Sequence, residues 1–181
     1  KLNGQEITIS DGIDIQNALS YDFLGKSNNN YFIFLEKDEA NQVIAFDEKL
    51  KIDWTKELIL DKRRPEVIGV VGQKNFFYLF YVFQKKSYRA IKFHKYDYNC
   101  SLIDSMTIKE ISNTTYLGLP SMILSEDKNM VYLFSKKTSQ YQMMDGFVFQ
   151  LDSHKKLWDK IVFLEEQEEE KRFNPILLNN N

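Results

Sequence analysis

The sequence predicts an all-β chain built from a repeated four-stranded antiparallel unit, and three observations predict it. Aromatic residues are abundant: 14 Phe and 10 Tyr stand beside only 7 Gly and 3 Pro among 181 residues, a balance that favours strands over helices. No apolar periodicity of 3.6 residues runs for more than about two turns, while β-branched and aromatic residues fill the apolar runs. One hydrophobic pattern then recurs three times along the chain.

The pattern can be followed element by element. An apolar run at 15–24 opens the first unit, 67–71 the second and 122–124 the third. Next comes an asparagine leading into a strand: Asn30-Tyr31-Phe32-Ile33-Phe34-Leu35, Asn75-Phe76-Phe77-Tyr78-Leu79-Phe80, and Asn129-Met130-Val131-Tyr132-Leu133-Phe134. These asparagines are 45 and 54 residues apart and are expected at equivalent turns. Polar loops follow at 36–41, 84–87 and 135–142, and then third runs that end at Phe46-Asp47, Tyr96-Asp97 and Leu151-Asp152. Those aspartates suit turns, because a short carboxylate can accept from the backbone two residues on. Fourth runs occupy 52–60, 102–108 and 157–164.

Four strands at a period near 50 is the pattern of a β-propeller blade. Blades are therefore expected at approximately 13–60, 66–110 and 119–164, within one partial domain spanning 1–181. The second strands are apolar on consecutive positions, as in residues 76–83, which fits burial on both faces between neighbouring blades. The fourth alternate, as in Ile52-Asp53-Trp54-Thr55-Lys56, which fits an outer edge with one face in water. Gly69 and Gly72 flank a strand core where close packing explains them. The run at 165–170, almost all glutamate, lacks an apolar face and reads as a solvated loop. Phe173-Asn174-Pro175-Ile176-Leu177-Leu178 matches Leu119-Pro120-Ser121-Met122-Ile123-Leu124, so 173–181 is expected to start a further blade. Closed propellers need at least about four blades. The fold class expected is thus an arc of about three blades plus the start of a fourth, part of a larger propeller completed by further sequence or another chain.

Three stretches carry a family resemblance. Ser125-Glu126-Asp127-Lys128-Asn129-Met130-Val131-Tyr132 resembles the turn into the second strand of many propeller repeats, including WD-like blades. Ala45-Phe46-Asp47 to Trp54, and Leu151-Asp152 to Trp158, resemble the third-to-fourth strand turn of quinoprotein-like propellers. That family's Thr-Gly is missing here, and the middle unit has Asp104-Ser105 where Trp would stand, so the resemblance implies blade geometry and does not extend to quinone chemistry. The aromatic-rich, Lys/Asn-rich, Gly-poor texture is similar to that of secreted propeller-like proteins of Gram-negative envelopes. It implies a periplasmic, outer-membrane-associated or extracellular location.

Composition excludes several functions. With 24 Lys+Arg against 26 Asp+Glu there is no electrostatic footprint for nucleic acid or an anionic membrane. The richest apolar run, 76–83, is far short of the roughly 20 residues of a transmembrane helix. Lys1-Leu2-Asn3 opens the chain without the apolar core of a secretory signal, though a cleaved signal would leave no trace. A single Cys100 excludes a disulfide framework and a multi-cysteine zinc site. His94 and His154 fall in different units at different blade positions, and Glu36, Asp38 and Glu39 lack the glycine and spacing of a calcium loop, so no metal is expected. No Gly-x-Ser-x-Gly elbow or Gly-rich phosphate loop occurs. The innermost strands offer only Asp22 and Glu66 as carboxylates, which leaves a glycosidase pair incomplete. Trp54 and Trp158 recur with the repeat and read as packing residues.

What remains is surface. Loops on one face carry Arg63, Arg64, Tyr88, Tyr116 and Tyr141, residue types that anchor protein interfaces. The expected function is a non-catalytic scaffold or protein-interaction module of an envelope or secreted complex, without cofactor, binding a protein partner. The alternative is a glycan-binding or glycan-degrading propeller whose active groups lie mostly in blades beyond these.

Overall fold

The computed structural model describes residues 7–38, 40–61, 65–84, 88–112, 118–138 and 142–164. Among these residues only strands form, and they make three four-stranded antiparallel sheets. The first joins β1 (Ala18–Ser27), β2 (Asn30–Lys37), β3 (Asn41–Phe46) and β4 (Ile52–Leu58) in that order. The second joins β5 (Glu66–Gly72), β6 (Phe76–Gln84), β7 (Tyr88–Asp97) and β8 (Leu102–Ser112). The third joins β9 (Ser121–Leu124), β10 (Met130–Thr138), β11 (Gln142–Gln150) and β12 (Lys155–Leu164). The apolar runs of the three expected units fall in strands, but β1 starts at Ala18 rather than at 15, β4 ends at Leu58, and β10 continues through Thr138 where a loop from 135 was expected. No helix among the described residues is long and apolar enough to cross a membrane. The acidic run at 165–170 and the expected further strand at 173–181 lie outside the described residues.

Two turns between third and fourth strands share one construction. Asp47 Oδ1 accepts from the N–H groups of Lys49 (2.9 Å) and Lys51 (2.8 Å), and Asp97 Oδ1 accepts from Asn99 (2.9 Å) and Ser101 (2.8 Å). In each, the third residue after the aspartate is left-handed: Leu50 at φ 58° and Cys100 at φ 63°. Asp152 departs from this. The left-handed residue there is His154, only two positions later, because four residues link Gln150 to Lys155 where five link Phe46 to Ile52. Asp152 instead donates its N–H to Asn129 Oδ1 (3.1 Å). Asp47→Ala and Asp97→Ala should each cost about 1 kcal/mol through lost backbone hydrogen bonds. Asp152→Ala should cost under about 0.5, and denaturant titration of the three variants checks the ranking.

The asparagines show the same mixture. Asn30 begins β2, while Asn75 and Asn129 immediately precede β6 and β10, so all three stand at the entry to a second strand. Their side chains do different work. Asn30 donates to Asp53 (2.8 Å), whereas Asn129 accepts from Asp152.

The chain divides into two compact units, Lys1–Phe80 with Phe93–Met106, and Tyr81–Lys92 with Thr107–Asn181. In unit one, Phe32, Phe34, Val43 and Ala45 fill one face of the first sheet and are buried. The Tyr98 ring closes that face, 4.5 Å from Phe32. Its hydroxyl donates to Gln73 O (2.7 Å) with Leu24 O 3.2 Å away. Gly72 lies so close to Leu24 that a Cβ there would sit 1.5 Å from its carbonyl oxygen, so close packing does explain this glycine. On the opposite face Leu35, Ile44 and Phe46 cluster beneath Ile13, Ala18, Tyr31 and Ile33. The segment before β1 is pinned there by Asp11, which accepts from Ile52 N–H (3.0 Å) and pairs with Lys51 (2.7 Å). Strand β6 is buried on consecutive residues, as its composition predicts; within unit one Phe77 stacks on Tyr96, and Tyr78 meets Phe93 edge-on.

In unit two, Val131, Leu133, Phe147 and Phe149 form the buried face of the third sheet. Lys109 of β8 is mostly buried there, donating to Asp145 (2.7 Å) and Asp159 (2.8 Å) with its ammonium 5.5 Å from the Phe147 ring. Burial opposes charge on Lys109, but the two carboxylates outweigh it and its pKa is raised. Partial burial likewise opposes ionisation of Asp159, yet hydrogen bonds from Lys109 and Lys156 hold it below its ordinary value. The cluster therefore stabilises fully between the two unfolded values, about pH 4 and about pH 10. It weakens in acid as pH falls through the depressed Asp159 value, and in alkali as pH rises through the raised Lys109 value. Lys109→Met should cost about 1–3 kcal/mol, less than the about 3–5 of a fully buried pair because Asp159 still meets water. The variant's stability–pH curve should be flatter at both ends than that of the parent.

Candidate functional site

The described part of the expected partner face is small. Tyr88 is the first residue of β7 and half-buried. Arg63, Arg64, Tyr116 and Tyr141 lie outside the described residues. The groups considered for chemistry have structural surroundings. His94 is buried with Nδ1 2.8 Å from Tyr96 Oη. Burial pushes the Cys100 thiol up to about 11, Lys56 opposing and Asp97 reinforcing the shift, so the thiolate nucleophile is scarce near neutrality. Asp22 sits on β1 and Glu66 opens β5. Among the described residues no three His, Cys, Asp or Glu side chains gather as metal ligands would.

The tryptophans occupy one structural position. Trp54 pairs with Ala45, which pairs with Phe32; Trp158 pairs with Val148, which pairs with Tyr132. Each follows a register shift in its strand pair, and each indole tilts against a second-strand ring at 5.8 Å or 5.9 Å. Packing is thus a real part of both roles. Their surroundings differ, because beside Trp54 the end of unit one opens into a hollow.

That hollow is built by three turns. The β1–β2 turn brings Asn28 and Asn29, with Asn28 left-handed at φ 49°, a conformation asparagine tolerates. The β5–β6 turn brings Asn75. The β7–β8 turn brings Asn99, held by the Asp97 carboxylate under its N–H and by Lys56 Nζ, which donates to its carbonyl (3.0 Å). Phe32, Trp54 and Tyr98 supply the aromatic part of the lining, and the volume is about 620 Å³. Lys56 also sits 4.8 Å over the Trp54 ring, fixing the indole and the Asn99 turn together. The side-chain amides of Asn28, Asn29, Asn75 and Asn99 have no hydrogen-bond partner among the described residues. The one carboxylate in the lining is Asp97, and no cation lines the hollow.

In the sequence Asn30 and Asn75 read as turn residues, and no motif there marks Asn28, Asn29 and Asn99 as partners in one site. The available signal was the concentration of asparagine at hairpin ends on one side of the sheets. No protein-family model matches this sequence, and no curated protein resembles it.

Proposed function

We propose that the three sheets are blades of a β-propeller and that the chain is a scaffold whose exposed β1 margin is covered by a second copy, as part of an envelope or secreted complex. One observation carries this reading. Tyr21 and Phe23 alternate on the edge strand β1, in register with Leu35 and Ile33, and are 73% and 64% exposed. The other face of the same sheet is closed by the Tyr98 ring. Large apolar side chains in a row on an edge strand are costly in water, and a sheet laid over them would gain about 1.5–3 kcal/mol for each one buried. Adjacency of β1 and β5 in unit one also supports it, since first strands meet near a propeller axis. Two chains of three blades make six, inside the common range of about four to eight.

The test is the native mass by light scattering. The parent is expected to exceed the 21.5 kDa of one chain, and Tyr21→Ser with Phe23→Ser to fall to that value while keeping its strand spectrum. A parent that stays at one chain across the accessible concentrations overturns the reading.

A further inference from the structure

We propose that the asparagine-lined hollow of unit one is a binding site for a neutral oligosaccharide, a role that goes beyond the assembly reading and does not depend on it. Three features of the hollow converge on this ligand class. The first is its hydrogen-bonding character. Asn28, Asn29, Asn75 and Asn99 reach the hollow from three separate turns, and their carboxamides are unengaged among the described residues. A carboxamide both donates and accepts. A sugar hydroxyl does the same, so a set of amides matches a polyol better than it matches a purely anionic or purely cationic group.

The second feature is charge. A phosphate or carboxylate ligand calls for Arg, Lys or a cluster of N–H groups; none of the lining side chains is a cation, and the neighbouring Lys56 ammonium is committed to Asn99 O and the Trp54 ring. Asp97 is the only carboxylate in the lining, and one of its oxygens is already committed to the turn. Its remaining oxygen suits a hydroxyl donor and repels an anion.

The third feature is the aromatic wall. Trp54 is half-buried beside the fully packed Phe32 and Tyr98, so part of the indole stays open while its setting is rigid. A pyranose ring presents C–H groups on its face and hydroxyls at its rim, which places apolar surface against the indole and polar edges against the amides. The volume of about 620 Å³ falls in the range of about 300–1,000 Å³ typical of small-ligand sites and exceeds a single sugar ring, which favours a short oligosaccharide.

Saturation-transfer NMR on the full chain, with maltotriose and N-acetylated chitotriose as separate probes at about 1 mM, tests the assignment. Transfer to at least one triose is expected. The Asn75→Ala/Asn99→Ala double variant should weaken that binding about tenfold or more, roughly the loss of one or two well-placed hydrogen bonds. Both positions are exposed, so the melting temperature should be unchanged. Trp54→Ala provides a second route, with loss of binding expected while circular dichroism confirms the strands. No transfer to either triose overturns the proposal. Binding that survives the double variant places the sugar elsewhere and overturns it equally. Tighter binding of trigalacturonate than of the neutral trioses overturns the neutral-ligand assignment.

Discussion

Gly72→Ala should be the most damaging single methyl group that can be added to unit one, costing about 3 kcal/mol or more. The new Cβ would lie 1.5 Å from Leu24 O, 2.4 Å from its carbonyl carbon and 2.9 Å from its Cα. All three are backbone atoms, so no rotamer change can make room. Either β1 or β5 must move, and Tyr98, whose hydroxyl bonds Gln73 O and approaches Leu24 O, is drawn off its site with them. For a chain of this size the melting temperature should fall by about 6–12 °C. Gly12→Ala is the matched control, because nothing lies within 4 Å of the Cβ it would add. Equal melting temperatures for the two variants would mean that β1 and β5 do not approach as described.

Tyr78→Ala and Leu79→Ala should cost about 3–5 and 2–5 kcal/mol respectively. Both residues lie in β6 at 1% and 0% exposure, and they point to opposite faces of the sheet because successive strand residues alternate. Tyr78 meets Phe93 edge-on at 5.3 Å and stacks on Phe80 at 6.2 Å, so its removal leaves a cavity with rigid aromatic walls that collapse poorly. Glu126→Ala, at an exposed turn, should cost less than about 0.5 kcal/mol. Comparable losses for all three in urea titration would place the core elsewhere.

Strand order and strand composition are legible in this sequence for a physical reason. A strand buried on both faces must be apolar at consecutive positions, and only β6 and its counterparts satisfy that for long. Turn register is less legible. Residues 47 and 97 hold their turns by a carboxylate, so aspartate looks like the marker at Asp152 too. What sets the register is the left-handed residue, and Leu50, Cys100 and His154 share no side-chain chemistry that would reveal it. The apolar row on β1 illustrates a different limit. Alternation in Leu19-Ser20-Tyr21-Asp22-Phe23 reveals a two-faced strand, but periodicity does not say which side chains are covered, and here the apolar ones of β1 stay exposed. The hollow was hidden for a related reason. Each asparagine is adequately explained by its own hairpin, and only the pairing of strands brings Asn28, Asn75 and Asn99 together.

The setting of Cys100 has a practical corollary. A thiol held near 11 is ionised in only about one molecule in ten thousand at neutral pH. Disulfide exchange and alkylation proceed through that ionised form, so cross-linking between chains in air should be slow and reducing agent unnecessary during storage. The same reticence makes the sulfur a reporter. When the Asp97 turn opens and residue 100 loses its partial burial, maleimide consumption should accelerate, and its rate then measures how often that end of unit one comes undone.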